Sequence, residues 1–289
     1  MKVDVEEEEM FKFCRCITKE RKTLIDVVAK ATGSKKKAKK VIDEGLCAVN
    51  GIKERFYRKN LKPNTIVEFS IPKLLFTKAK IEILYEDEYF LVVNKPPFIN
   101  SNKNFPDVEN LLRKRFKSIY VVHRLDKQTS GALIIAKSKE VFELFKLKFK
   151  KKEVKKKYLA LVAGNLKKSS GEIKFPIDGK EAISRYQVVE RVEKTDFLEV
   201  EILTGRKHQI RKHFASVNHP LIGEFVYWKR AFPQRIHLFS PRIMLHAKLL
   251  KFKHPIKEHY VEVKAPLFED FKEYLKILKG ETPLQILTL

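Results

Sequence analysis

Within residues 121–131 (Val-Val-His-Arg-Leu-Asp-Lys-Gln-Thr-Ser-Gly) a single carboxylate, Asp126, has basic side chains on both sides. Thr129 and Ser130 add two hydroxyls, and Gly131 closes the stretch. A carboxylate kept ionised in such a place can act as a nucleophile or as an electrostatic catalyst. The same residue types also build turns, in which Asp126 and Thr129 would bond the local backbone. The flanks are β-branched and aliphatic, Val121-Val122 ahead and Ala132-Leu133-Ile134-Ile135-Ala136 behind. They predict two strands buried on at least one face. A connection between such strands has to justify the cost of its charge. Spacing alone leaves the turn and the catalytic reading both open.

The whole string decides between them. His-Arg-Leu-Asp-x-x-Thr-Ser-Gly, followed by aliphatic residues and Ala136-Lys137, resembles the catalytic motif of the RluA-type pseudouridine synthases. Three more strings extend the resemblance over residues 81–278: Lys157-Tyr158-Leu-Ala, Gly205-Arg-Lys-His-Gln-Ile-Arg211, and His219-Pro220-Leu-Ile-Gly223. Departures are mild. Lys207 stands where a small hydroxyl residue is usual, Asn218 where Gly is usual, and Glu224 where Asp is usual. Pro97-Phe98 follows Lys95-Pro96 where the family commonly has Pro-Gly.

The resemblance implies an RNA isomerase that breaks the N1–C1′ bond of a uridine, turns the base and rejoins it through C5. No atoms are gained or lost, so the stoichiometry requires no cofactor. Asp126 becomes the carboxylate that adds to C1′, takes a proton from C2′ or stabilises charge; the sequence does not choose among these. Arg211 would pair with Asp126 and keep it ionised. Its plain alternative is a phosphate contact or a salt bridge elsewhere. Tyr158 would stack on the extruded uracil and take part in the final C5 proton removal, where residue type alone reads as an ordinary core aromatic. Arg124 would enter the RNA where the target leaves the stack, offsetting part of the extrusion cost; otherwise it binds phosphate. Leu221 and Ile222 would wall the uracil pocket, with Gly223 permitting the turn. His123, Thr129 and Ser130 are expected to hold the loop backbone.

The elements around these motifs predict an α+β protein. Leu24, Val27, Val28 and Ala31 recur at helical spacing, and Ser34 caps a second helix with Ala38, Val41 and Ile42 inward. Lys35, Lys36, Lys37, Lys39 and Lys40 then face outward. Asn50-Gly51 suits a tight hairpin turn. This helix–helix–hairpin unit resembles an S4 RNA-binding domain through Leu24-x-Asp26, Ser34-x-x-x-Ala38, Glu44-Gly45, Val49-Asn50-Gly51 and Lys62-Pro63. The lysines would grip RNA phosphates, although a charge run is ordinarily just a solvated helix face. The expected organisation is a lead-in over 1–20, the S4-like domain over 21–72, a linker over 73–80 and a catalytic domain over 81–289. That last domain is expected to be a mixed, largely antiparallel sheet flanked by helices.

Composition bounds the function. The 61 Lys and Arg against 36 Asp and Glu leave a net charge of +25, which favours a polyanionic partner. Three cysteines form neither a disulfide framework nor a metal pattern. The spacing of His208, His213 and His219 does not match zinc ligation. No apolar run is long enough to span a membrane and the start is acidic, so a cytoplasmic protein without membrane contact is expected, and a monomer. Walker-type loops, nucleophile elbows and glycine-rich cofactor loops are missing, which sets aside phosphoryl transfer, serine hydrolysis and methyl transfer. A non-catalytic RNA-binding protein is the competing reading. It would not need Asp126, Tyr158 and Arg211 together. An S4 unit joined to this core points to large-subunit ribosomal RNA, with transfer RNA as the alternative.

Overall fold

Ala132, Leu133, Ile134, Ile135 and Ala136 have no polar side chain, so both faces of their strand must be covered. All five are fully buried. Leu133 and Ile135 join one apolar cluster, Ala132, Ile134 and Ala136 another. Their strand, Ser130–Ala136, lies inside a ten-stranded sheet of the computed structural model, which describes residues 9–288. Along the main path the order is Ser170–Lys174, Ile183–Val192, Thr195–Ile202, Lys155–Ala163, Leu245–Lys253, Ser130–Ala136, Phe90–Lys95, Glu82–Glu86. Tyr120–Val121 and Tyr260–Lys264 pair off this path. Ser130–Ala136 with Leu245–Lys253 is the parallel pair; the other pairings of this sheet are antiparallel.

Helices close both faces, as expected of a layered α+β fold. Lys139–Lys150, capped by Ser138, lays Val141 and Phe145 on one face. Val108–Leu112 and Gln209–Ser216 cover the other with Val108, Leu112, Ile210 and Phe214. Val108–Leu112 is the shorter of these two helices. Asp107 caps it by accepting from the Asn110 N–H, and it ends at Leu112.

The chain forms two compact units, and their bounds differ from those expected of the sequence. One gathers the chain up to Lys78 with Lys229–Arg242 and everything from Glu269 on. The other comprises Ala79–Trp228 and Ile243–Phe268 and contains the ten-stranded sheet. Residues 1–8 of the expected lead-in lie outside the described residues. Phe11–Ile17 is no lead-in: it is a strand paired along its length with Ile66–Pro72 and, in parallel, with Ile286–Thr288. Phe11, Phe13, Cys14 and Cys16 are buried there. The last helix, Glu269–Leu278, belongs to this first unit and not to the catalytic one. Asp270 forms a fully buried bidentate pair with Arg242, and Tyr274 packs its ring against Phe11.

Other local expectations hold in this unit. Leu24–Thr32 and Lys35–Asp43 are helices, and the Ser34 hydroxyl accepts from the Lys37 N–H. The turn between Cys47–Val49 and Ile52–Glu54 has positive φ at both Asn50 (50°) and Gly51 (79°), as a primed hairpin turn requires.

Candidate active site

The loop that carries Asp126 leaves Tyr120–Val121 and re-enters the sheet at Ser130. It is fixed from below. The Lys95 ammonium, fully buried, donates to the carbonyls of Pro96 and Ile99 at 2.9 Å and of Lys127 at 3.2 Å. The Ser101 hydroxyl both donates to the Leu125 carbonyl and accepts from the Leu125 N–H, each at 3.0 Å. Gln128 accepts from the Ile243 N–H, and the Thr129 N–H donates to the Asp126 carbonyl. His123 Nε2 accepts from the Ile134 N–H. Burial and the nearby Lys156 hold its pKa down to about 3, so the ring stays neutral and can accept. Ser130 Oγ lies 2.9 Å from His246 Nδ1. Gly131 sits at φ 112°, and a Cβ there would come within 2.6 Å of the Ala247 nitrogen across the parallel pair. Only glycine fits.

Arg211 enters from the buried side of Gln209–Ser216 and is 4% exposed. Its Nε donates to Glu224 Oε2 at 2.7 Å and its Nη2 to Glu224 Oε1 at 2.9 Å, a bidentate pair. Its remaining arm, Nη1, reaches Asp126 Oδ2 at 3.4 Å. Glu224 is itself fully buried and accepts from the N–H groups of Phe225, Val226 and Tyr227 at 3.0, 2.7 and 3.2 Å. Burial works against its charge, but Arg211 and these N–H groups hold its carboxyl below the usual range. Burial likewise opposes the Arg211 charge, and Glu224 and then Asp126 more than restore it.

A second group meets Asp126 from the N-terminal end of the Arg211 helix. His208 Nε2 is 3.4 Å from Asp126 Oδ1, and His208 Nδ1 is 2.7 Å from the Tyr227 hydroxyl. Its backbone is left-handed (φ 55°, ψ 30°) at the start of the helix, a conformation that costs a non-glycine residue free energy. Burial lowers the His208 pKa, the Asp126 charge opposes that, and Arg211 adds to it. Asp126 therefore has one oxygen toward a guanidinium and the other toward an imidazole, with its side chain 27% exposed.

The other expected residues distribute unevenly. Tyr158 lies in Lys155–Ala163 and is 8% exposed. Burial, and then the Asp126 charge, push its hydroxyl above the ordinary phenol range. Arg124 is exposed while Leu125 is buried. Leu221 and Ile222 have no exposed surface. Leu221 bridges to Val162, and the Ile222 N–H bonds the Leu161 carbonyl. Neither offers surface to a ligand. Lys35, Lys36, Lys37, Lys39 and Lys40 are all exposed and lie in the other unit.

His208, Glu224 and Tyr227 were not singled out for a site role from the sequence. The only signal for Glu224 was its position after His219-Pro220-Leu-Ile-Gly223. Among the described residues no group of three or more His, Cys, Asp or Glu is arranged to hold a metal ion. None of their helices is long and apolar enough to cross a membrane.

Known proteins are similar to this chain in sequence and fold. Residues 89–216 match the family model for RNA pseudouridylate synthase. An uncharacterized RNA pseudouridine synthase of Helicobacter pylori is 37% identical over 229 residues, covering 74% of this chain and 86% of that protein. The ribosomal large subunit pseudouridine synthase C of Buchnera aphidicola is 34% identical, covering 68% and 70%. The dual-specificity RNA pseudouridine synthase RluA of Pasteurella multocida is 33% identical, covering 66% and 94%. Among solved structures, human RNA Pseudouridylate Synthase Domain Containing 1 superposes with a TM-score of 0.55 at 26% identity, covering 71% of this chain and 97% of that one. By sequence and by fold, the chain belongs to the RluA-type RNA pseudouridine synthases and is an isomerase acting on RNA.

Proposed function

We propose that this enzyme isomerises uridine in large-subunit ribosomal RNA, with Asp126 as the reacting carboxylate. The observation that carries the reading is the Arg211 guanidinium, locked on Glu224 and 3.4 Å from Asp126. It sets a fixed positive charge beside the Asp126 carboxylate and restrains where that negative charge sits. In a partly exposed site, such a fixed negative charge can attack C1′, accept the C2′ proton or stabilise the charge that develops as N1–C1′ breaks. Tyr158 stacks on the uracil. Its raised pKa keeps it a neutral phenol, so removal of the C5 proton falls to another base or to a phenolate formed only at that step. Arg124 enters the gap left by the extruded base. Leu221 and Ile222, fully buried, back the pocket wall without touching the base. The first unit is an S4-like RNA contact whose exposed lysines add phosphate binding.

The ribosomal target is supported by the names of relatives in Buchnera aphidicola and Vibrio parahaemolyticus. The dual-specificity relatives favour a second reading in which more than one RNA, transfer RNA included, is modified.

Asp126→Asn keeps the side-chain shape and removes the charge. Pseudouridine formation is expected to fall by about 10³-fold or more, with RNA affinity within about threefold of the parent. An unchanged yield overturns the assignment. Mapping pseudouridines in RNA from cells with and without the gene tests the target: a site lost from transfer RNA alone overturns the ribosomal choice.

A further inference from the structure

Directly after the hairpin Cys47–Val49/Ile52–Glu54, the chain holds an aromatic ring out into solvent. Phe56 is 60% exposed. A lone exposed apolar residue is ordinary; this one is held in place. Glu54 Oε1 accepts from the N–H groups of Arg55 and Phe56 at 2.8 and 2.9 Å, and Glu54 Oε2 from Lys59 Nζ at 2.6 Å. The Lys59 N–H returns to the Phe56 carbonyl at 2.9 Å, which closes a turn over residues 56–59. The carbonyls of Tyr57 and Lys59 accept the N–H groups of Ile25 and Leu24 at 3.0 and 2.9 Å, at the start of Leu24–Thr32. The turn thus has its backbone tied at Phe56, Tyr57 and Lys59, and the Phe56 ring is exposed.

The surroundings are cationic. Tyr57, half-buried, has its ring centroid 6.5 Å from that of Phe56, with Lys39 Nζ at 4.8 Å and Arg58 Cζ at 5.5 Å from its own. Arg55 reaches back to the Asp43 carbonyl at 2.9 Å, at the end of Lys35–Asp43. Of these cations Lys39 pairs with Asp43 and Lys59 with Glu54, so that Arg55 and Arg58 leave the patch with excess positive charge. Fixed aromatic surface inside a positive field is what an unpaired nucleotide requires: the base stacks on the ring and its phosphates meet the cations. A duplex keeps its bases inside and can use only the cations.

We propose that Phe56 and the turn over residues 56–59 form a stacking seat for one unpaired nucleotide of the RNA substrate. The seat selects a loop or bulge over a continuous helix, and it rests on the reading of this unit as an RNA contact.

The test uses the full-length enzyme with a short unstructured oligouridylate and a blunt RNA duplex of equal length. Phe56→Ala is expected to weaken binding of the single strand by about tenfold, with the dependence on salt unchanged, because stacking releases no counterions. Phe56→Trp restores it. Duplex affinity stays as in the parent, and so does the thermal midpoint, the ring being exposed. Equal single-strand affinity for Phe56→Ala and the parent overturns the seat, as does an equal loss on both RNAs. Joint replacement of Lys36, Lys37 and Lys40 by Ala tests the underlying reading. It is expected to weaken both RNAs and to flatten the salt dependence. If Phe56→Ala does nothing while the lysine variant weakens binding, the seat fails and the RNA contact stands. If neither changes anything, both fail.

Discussion

Arg211 is 4% exposed and directs its donors to Glu224 and Asp126, whereas the five lysines of Lys35–Asp43 are all exposed. Two of those lysines have carboxylates at hand, Lys35 with Asp26 and Lys39 with Asp43. Such surface pairs are worth little and are screened by salt. The contrast separates two uses of charge. Around Asp126 the position of each atom matters, because Arg211 and Glu224 are buried and Glu224 is bonded in turn to backbone N–H groups. On the helix, under the proposed RNA contact, only the sum of charge would matter, because exposed lysines can adapt to phosphates one at a time.

The largest effect expected from breaking this contrast is on stability. Glu224→Ala leaves the Arg211 guanidinium buried with Asp126 alone at 3.4 Å. Chemical denaturation should show a loss of about 3–5 kcal/mol. A loss below about 1 kcal/mol, the range of an exposed pair, would mean that the buried pair is no more demanding than the surface ones.

Exchange of one cation for another sharpens the point. Arg211→Lys keeps a positive charge but cannot span Glu224 and Asp126 with one ammonium. Single-turnover pseudouridine formation should fall by about 100-fold, the scale of a misplaced reacting group, with RNA affinity little changed. Lys36→Arg makes the reverse exchange on the exposed helix. RNA affinity and rate should both stay within about twofold, since a phosphate contact of this kind is sequence-independent charge. Equal effects of the two exchanges would erase the distinction between the regions.

How far the sequence could be read follows the same division. Ser34 as a cap, Ala38, Val41 and Ile42 as the inward face, and the Asn50-Gly51 turn were all legible, because each depends on residues a few positions apart. Asp126 and Arg211 are 85 positions apart. Their pairing came from motif resemblance, not from any local pattern. His208 was missed because its approach to Asp126 depends on a left-handed backbone at one residue, which no neighbouring residue pattern marks. The assignment of the C-terminal helix failed for a related reason. Its amphipathic face was evident, but which core it would enter is decided by Asp270 meeting Arg242 and by Tyr274 packing on Phe11. The strand Phe11–Ile17 is different: buried Phe11 and Phe13 around an exposed Lys12 gave a readable alternation at its start, which the acidic stretch before it obscured.

Gly131 ties the chemistry to the architecture in a way that constrains redesign. The residue that ends the reactive loop is also the one whose missing side chain lets two parallel strands come together. Enlarging it would push Ser130–Ala136 away from Leu245–Lys253 and tilt the loop along with its strand. Attempts to retune this enzyme for another base therefore have to leave Gly131 in place and work from exposed positions such as Arg124.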